Sequence, residues 1–361
     1  MAQQWNRRRT TLLAASGLGL AAFKLLQWWR QADLRGQVVM ITGGSRGLGL
    51  ALAKTFAHEG CRMVLCARDE QELAWAQQVV VQQGSPVLAL PCDVADPQQV
   101  NHAVEQATQH FGRIDILVNN AGMIQVGPLQ SITVQDFEDA LNVMFWGVLH
   151  PTLAVLPQMR ARRYGRIVNI TSIGGKVSVP HLLPYNCAKF AAVGLSEGLR
   201  AELGRTGIRV TTIVPGLMRT GSHLNAQFRG QTAREFAWFS LGASLPGLSM
   251  NAERAARQIV QATKRGDAER ILTLPANLLE RFHGIFPGTT TNILGMVNHL
   301  LPSANGANAG APTRGMEAQQ YLHSRIFNVL TRLGHMAAQR YHQYPPSPAK
   351  HRPPPRSDEI A

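Results

Sequence analysis

Gln37-Val-Val-Met-Ile-Thr42-Gly43-Gly-Ser45-Arg46-Gly47-Leu48-Gly49, with the run Leu50-Ala-Leu-Ala-Lys-Thr-Phe-Ala-His-Glu-Gly60 behind it, decides the fold. The apolar and β-prone residues predict a buried strand, the glycines a tight turn, and the run after them a helix. A turn of this kind lets backbone approach a pyrophosphate, whose charge is met by the N–H groups of the helix terminus. A plain glycine-rich turn does not require strand, turn and helix in that order.

Working outward, strand-like and helix-like runs alternate to about residue 274. Strands are predicted at 37–42, 61–67, 87–92, 114–119, 166–171, 208–214 and 269–274. Helical patterns lie between them, as at Glu70–Gln83, Pro97–Phe111, Val134–Arg160 and Pro184–Arg205. Strands alternating with long helices predict an α/β fold, a parallel sheet of about seven strands with helices on both faces. Ligands on such sheets bind at the carboxyl ends of the strands.

Chemistry-bearing residues fall at those ends. Tyr185 and Lys189 are four apart, so on a helix the ammonium stands beside the phenol. A fixed positive charge there is expected to lower the phenol from its usual pKa of about 10 toward the working range. Ser172 ends the run Arg166-Ile-Val-Asn-Ile-Thr-Ser172, where its hydroxyl can bond the substrate oxygen that the tyrosine protonates. This is equipment for reducing a carbonyl or oxidising an alcohol.

Thr42-Gly-x-x-x-Gly-x-Gly49, Asn119-Asn120-Ala121-Gly122, Ser172, Tyr185-x-x-x-Lys189 and Pro215-Gly216 stand in the order found in the short-chain dehydrogenase/reductase family, which the chain resembles over about residues 36–275. The resemblance implies one Rossmann-type, doubly wound domain binding a nicotinamide dinucleotide. Carried onto this chain, it makes Tyr185 the general acid or base, Ser172 the group that orients the carbonyl, and Lys189 a ligand of the nicotinamide ribose. Thr42, Gly43, Ser45, Arg46, Gly47, Leu48 and Gly49 become the cofactor loop. Asp93 and Val94 take the adenine-contacting position. Asn119, Ala121 and Gly122 belong to the segment that stabilises the sheet and passes the cofactor, and Pro215, Gly216, Leu217 and Thr220 flank the carboxamide. No metal site is implied.

Two positions refine this. NAD-preferring proteins place an acid at the end of the second strand to hold the ribose hydroxyls. Here the segment reads Leu65-Cys66-Ala67-Arg68-Asp69, and Arg46 precedes the second loop glycine. Two guanidinium groups suit a 2′-phosphate, so NADP(H) is expected over NAD(H), with Asp69 the residue that would serve the latter. The family's further catalytic asparagine, three residues before a glycine, has no counterpart. The glycine is Gly147 and the residue three before it is Met144. Asn142 is near, but two residues turn a helix by about 200°, onto the other face. The proton relay is where this chain departs.

The chain has 361 residues and a formal charge of +14. Its positive residues are scattered, and no nucleic-acid module is legible, so a membrane surface accounts for the charge better. The cysteines (Cys61, Cys66, Cys92, Cys187) show no metal-ligand spacing and read as free thiols of a reducing compartment. Residues 1–35 form a basic segment and anchor: Arg7-Arg8-Arg9 precede an apolar stretch, and residues 10–29 would span about 30 Å as a helix. A spanning helix and an interfacial one both fit. No cleavage site is evident, and cytosolic recycling of nicotinamide dinucleotides places the catalytic domain on the cytoplasmic side.

Within the domain at 36–275, residues 217–251 form a substrate lid whose Phe228, Phe236, Trp238 and Phe239 either line an apolar pocket or pack the lid down. Residues 276–302 read as an apolar extension that continues the lid or touches the membrane. Residues 303–317 read as a linker and 318–343 as an amphipathic helix docking on the domain or on lipid. Residues 344–361 read as a disordered Pro-rich tail. The expectation is a membrane-associated NADP(H)-dependent oxidoreductase for a hydrophobic carbonyl or alcohol, in family fashion a homodimer or homotetramer. The alternative is a non-catalytic NADPH-binding sensor or scaffold at a membrane.

Overall fold

The structure, a computed structural model, describes residues 31–304, 311–322 and 324–344. The N-terminal anchor and the Pro-rich tail expected from the sequence therefore lie outside the described residues, apart from 31–35 and Tyr344. Strand β1 (Val38–Thr42) is buried along its whole length. Its side chains alternate: Val39 and Ile41 enter the core on one face of the sheet, Val38 and Met40 on the other. A strand apolar on both faces belongs in the middle of a covered parallel sheet, and β1 lies there.

The other strands are β2 (Arg62–Ala67), β3 (Val87–Pro91), β4 (Ile116–Asn119), β5 (Gly165–Ile170), β6 (Ile208–Val214) and β7 (Glu269–Ile271). All seven are parallel, in the order β7-β6-β5-β4-β1-β2-β3. β1 pairs Val38 with Arg62 on one side and Val39 with Ile116 on the other. The strand order reverses between β1 and β4, which opens the crevice where such sheets take ligands. This is the doubly wound α/β architecture expected from the sequence.

Helices α1 (Gly47–His58) and α2 (Glu70–Val81) cover one face, with α8 (Ala252–Arg265) further along the chain. Helices α3 (Pro97–Phe111) and α5 (Gly147–Arg162) cover the other. α4 (Val134–Leu141) runs into α5 through a single π-turn, Asn142–Trp146, and α6 (Leu183–Glu202) packs beside α4. The run Val134–Arg162 is apolar and long enough to cross a bilayer by length and composition. Its Val148, Val155 and Met159 are buried against the sheet, so it is a core helix of the domain.

At the amino ends of the strands, Asp115 ties elements together. Its carboxylate accepts from the Val38 amide at 3.0 Å, from Arg113 at 3.0 Å and from Arg162 at 2.7 Å. Burial by itself would raise its pKa, but these donors outweigh burial and hold it below the usual range.

Residues 305–310 of the expected linker lie outside the described residues, and a short strand follows them. Thr313–Arg314 pairs antiparallel with Gln227–Phe228, which in turn pairs with Gln125–Val126. Lid helix α7 (Thr232–Ser244) is followed by Ser249–Asn251, which pairs with Leu217–Arg219. The helices α9 (Leu274–Ile285) and α10 (Pro287–Asn298) pack on each other, then α11 (Gly315–Gln319) and α12 (Arg325–Arg340) close the fold. A Cβ on Gly315 would stand 2.0 Å from the His223 carbonyl. Gly315 is thus a site of close packing.

Helix α12 docks on the lid. Phe327 and Ala338 are buried in one cluster with Phe228, Phe236 and Phe239, so these lid aromatics pack the lid down. Ile326, Leu330 and Leu333 point outward, while Gly334 and Ala338 on the inner face allow close approach to the lid.

Candidate active site

The carboxyl ends of β1, β4, β5 and β6 bring the sequence motifs to one edge. Thr42 ends β1, and its hydroxyl accepts from the amides of Asn120 (3.0 Å) and Ala121 (3.1 Å). The Asn120 side chain returns two bonds, donating to the carbonyls of Thr42 and Gly43 at 3.0 Å each. The glycine loop is thus fastened to the segment after β4. Gly43 lies at φ +62° and Gly47 at φ +57°, where a side chain is strained. A Cβ on Gly49 would stand 2.0 Å from the Gly43 carbonyl, and one on Gly43 would stand 2.9 Å from the Ala121 Cα. The loop is a cradle that a single Cβ would fill, at the N-terminus of a twelve-residue helix. Leu48, the next residue of the loop, is buried in the first turn of that helix.

Asn119 takes the sheet-stabilising part of its segment. Its amide donates to Thr152 (3.1 Å) and Asn169 (2.8 Å), and the chain continues from Asn169 to Ser196 and Thr212. Asn119 therefore belongs to a buried polar network across β4, β5 and β6, while Asn120 does the work at the loop. The sequence motif contains both, and nothing in it says which side chain turns inward.

At the adenosine end, Asp69 caps α2, its carboxylate accepting from the Glu72 amide at 2.9 Å. That use draws it away from ribose recognition. Glu72, which the sequence did not single out, accepts from Ser45 (3.1 Å) and Arg46 (2.8 Å). Arg68 reaches across to Asp93 at 3.9 Å. Val94 packs against Gly147, where an added Cβ would meet Val94 at 2.6 Å. That contact explains why the core helix carries glycine after the π-turn.

Ser172 follows β5 in extended conformation, and its Oγ accepts from the Gly174 amide at 3.0 Å. Tyr185, on the first turns of α6, stands close enough to Ser172 for that hydroxyl to act on the phenol's pKa. Lys189 is buried one turn on, its Nζ donating to the Ile170 carbonyl at 2.8 Å and lying 5.8 Å from the Tyr185 ring centroid. Nζ is 3.9 Å from where a Cβ on Gly122 would stand, and the Met144 Cγ is equally close to that point. Beyond β6, the Pro215 carbonyl accepts from the Ile173 amide at 2.8 Å. Gly216 sits where a Cβ would meet the Thr273 hydroxyl, Leu217 is partly exposed, and Thr220 is buried.

The electrostatics correct one expectation. Burial pushes the Tyr185 phenol up, and the Ser172 hydrogen bond only partly opposes it. Burial also brings Lys189 down to about 8. At about 8 Lys189 is still largely protonated at neutral pH, but burial of the phenol outweighs any lowering by that charge.

Met144 is fully buried, with Ala140 and Ala188, against Tyr185, whereas Asn142 is exposed. A thioether therefore occupies the flank of Lys189 where the family carries an amide. The π-turn gives that flank a widened backbone. A second constellation was invisible in sequence. His181 Nδ1 lies 2.8 Å from Glu235 Oε1, and the Trp238 indole donates to Glu235 Oε2 at 2.7 Å. These residues are 54 apart and share no local pattern, yet they pin the lid helix to the loop that leads into Tyr185. Ile124, Val179 and Trp238 form the partly open edge of the same apolar cluster that reaches Tyr185.

Comparison with known proteins follows the same motifs. The family model for short chain dehydrogenases matches residues 37–229. The granaticin polyketide synthase putative ketoacyl reductase 1 of Streptomyces violaceoruber is 42% identical over 185 residues, covering 51% of this chain and 68% of that protein. L-Sorbose reductase from Gluconobacter frateurii, solved with NADPH and L-sorbose, superposes with a TM-score of 0.60 at 28% identity, over 67% of this chain and 97% of that one. A short chain dehydrogenase/reductase from Burkholderia phymatum, solved with NAD, gives a TM-score of 0.66 at 25% identity, over 70% and 95%.

Proposed function

The chain belongs to the short-chain dehydrogenase family of NAD(P)-dependent oxidoreductases, and from that premise we propose that it is a membrane-associated, NADP(H)-dependent enzyme interconverting a carbonyl and an alcohol on a hydrophobic substrate. The observation that carries this reading is Tyr185 beside Ser172, with buried Lys189 behind it, at the sheet edge that holds the glycine cradle.

The cradle fits a dinucleotide: Gly43, Gly47 and Gly49 leave the space, and the α1 terminus favours phosphate. When bound, the nicotinamide supplies or accepts the hydride. The chain's own residues hold the substrate and manage the proton. The Ser172 and Tyr185 oxygens converge on the substrate oxygen, and Tyr185 gives it a proton in reduction or takes one in oxidation. Lys189, brought near neutrality by burial, takes up and returns protons behind the phenol. Thr42, Ser45 and Leu48 complete the pyrophosphate side, Asp93 and Val94 the adenine side, and Ala121, Gly122, Pro215, Gly216, Leu217 and Thr220 the nicotinamide side.

Asp69 is engaged as a helix cap, while Arg46 and Arg68 flank the adenosine end, which supports the 2′-phosphate of NADP(H). The apolar cluster reaching Tyr185 supports a hydrophobic substrate. The sequence of residues 1–30 and the outward Leu278, Phe282, Ile285, Phe286 and Met296 of α9–α10 support contact with a membrane. Exposed Trp146, Leu153 and Phe190 on neighbouring helices support a homodimer. The sensor reading draws on Met144, which removes an amide from the proton relay.

Consumption of NADPH against a panel of hydrophobic ketones and aldehydes tests the enzyme reading. Turnover is expected with NADPH preferred over NADH, and Arg68→Ala is expected to cut that preference about tenfold, the worth of one charge-assisted contact. Tight NADPH binding with no turnover across the panel would favour the sensor. Cells expressing the chain without residues 1–30 are expected to release it to the soluble fraction, and equal partitioning with the full chain would remove the anchor.

A further inference from the structure

The end of the described chain comes back to the glycine loop. After α12, the Tyr341 carbonyl accepts from the Gly47 amide at 2.9 Å, and the Tyr341 side chain is buried in the main core. His342 lies at φ +56°, a conformation that its neighbours must hold, and stacks on Trp75 of α2 with ring centroids 3.8 Å apart. Gln343 is 5% exposed. Three consecutive residues thus form a strap across the start of α1.

Gln343 carries the argument. Asn225 Nδ2 donates to both its backbone carbonyl (2.9 Å) and its side-chain Oε1 (2.8 Å). The bond to Oε1 fixes the amide, so Nε2 faces the loop. It lies 2.7 Å from where a Cβ on Gly47 would stand, and the Thr220 Cβ is 4.0 Å from the same point. Among the described residues, this Nε2 donates no hydrogen bond. Held in place through Oε1, this donor meets an incoming acceptor without further ordering. It faces the N-terminus of a long helix, where backbone N–H groups and the helix dipole gather anionic phosphate.

We infer that the C-terminal strap is part of the dinucleotide site, with Gln343 Nε2 donating to a phosphate oxygen of the bound cofactor. The inference rests on the dinucleotide reading of the loop. It extends the site to a residue 118 positions beyond its own anchor, Asn225, and outside the span matched by the family model. It also gives the C-terminal extension a purpose: α12 fixes the lid and delivers the strap to the cofactor.

Binding to the full-length chain tests this without turnover. NADPH and NADH are titrated by their fluorescence against wild type, Gln343→Ala and Gln343→Glu. Two fragments are titrated calorimetrically: 2′-phospho-ADP-ribose, which holds the pyrophosphate, and adenosine 2′-monophosphate, which does not. Gln343→Ala is expected to weaken NADPH and the pyrophosphate fragment about tenfold, as loss of a bond to a charged group does. Gln343→Glu keeps an acceptor for Asn225 but turns a carboxylate on the phosphate, so its loss should be larger and shrink at high salt. Adenosine 2′-monophosphate should bind all three alike. Unchanged or tighter NADPH binding in both variants would overturn the inference, as would equal losses for the two fragments. Failure of the wild type to bind either dinucleotide would instead remove the reading of the loop itself, and this inference with it.

Discussion

Tyr185→Phe is expected to lower turnover by about 10²–10⁴-fold, the contribution typical of a positioned acid or base, while NADPH binding remains measurable. The ring keeps its place beside Ala140, Met144 and Ala188, so the substitution removes one oxygen from an otherwise intact wall. Because burial holds the phenol above its ordinary pKa, it is protonated at neutral pH and ready to act as an acid. Reduction should therefore suffer across the neutral range rather than at one pH. The measurement is steady-state NADPH oxidation beside a fluorescence titration of NADPH. Intact turnover in the variant would mean that the proton comes from elsewhere, and the assignment of Ser172 and Lys189 would fall with it.

That Ser172, Tyr185 and Lys189 come together was legible because local geometry suffices: a strand end, a helix, and a four-residue spacing. The environment of the trio was not legible. The expected acidification of Tyr185 by Lys189 is outweighed by burial of the phenol, which raises its pKa. That burial depends on the whole sheet edge and cannot be read from residues 185 and 189.

The same distinction runs through the rest of the molecule. β1 and the glycine loop were legible as a strand followed by a turn, since an unbroken apolar run and a glycine cluster each have one economical explanation. Asn119 and Asn120 were not separable, because period-2 alternation sends one inward and one toward the loop, and the motif does not state which. Asp69 looked like a candidate ribose ligand, and its position one residue before α2 shows why it caps the helix instead. The C-terminal extension was the least legible. Gly315 and Gly334 are sites of close approach to His223 and Ser244. Composition alone does not separate a flexible glycine from a tightly packed one.

Gly49→Ala should show how little slack the cofactor cradle has. The added methyl would stand 2.0 Å from the Gly43 carbonyl oxygen, 2.7 Å from Asn120 Nδ2 and 2.9 Å from the Gly43 carbonyl carbon. The nearest of these is backbone, so no flexible side chain can swing aside. Either α1 slides away from the loop, or the Asn120 amide releases the carbonyls of Thr42 and Gly43. Both outcomes dismantle the surface offered to the pyrophosphate. The expected cost is about 1–3 kcal/mol of stability from overpacking. NADPH affinity should fall on the order of 100-fold, since a pre-organised cradle gives up both its backbone donors and its shape. A contrasting glycine controls for the loss of conformational freedom alone. Gly194, within α6, has nothing within 4 Å of an added Cβ, so Gly194→Ala should stabilise by roughly 0.5–1 kcal/mol through helix propensity and leave NADPH binding unchanged. Thermal melting and NADPH titration of the two variants side by side decide the matter: a Gly49→Ala protein that melts and binds like wild type would show that the loop is not the rigid seat this geometry describes.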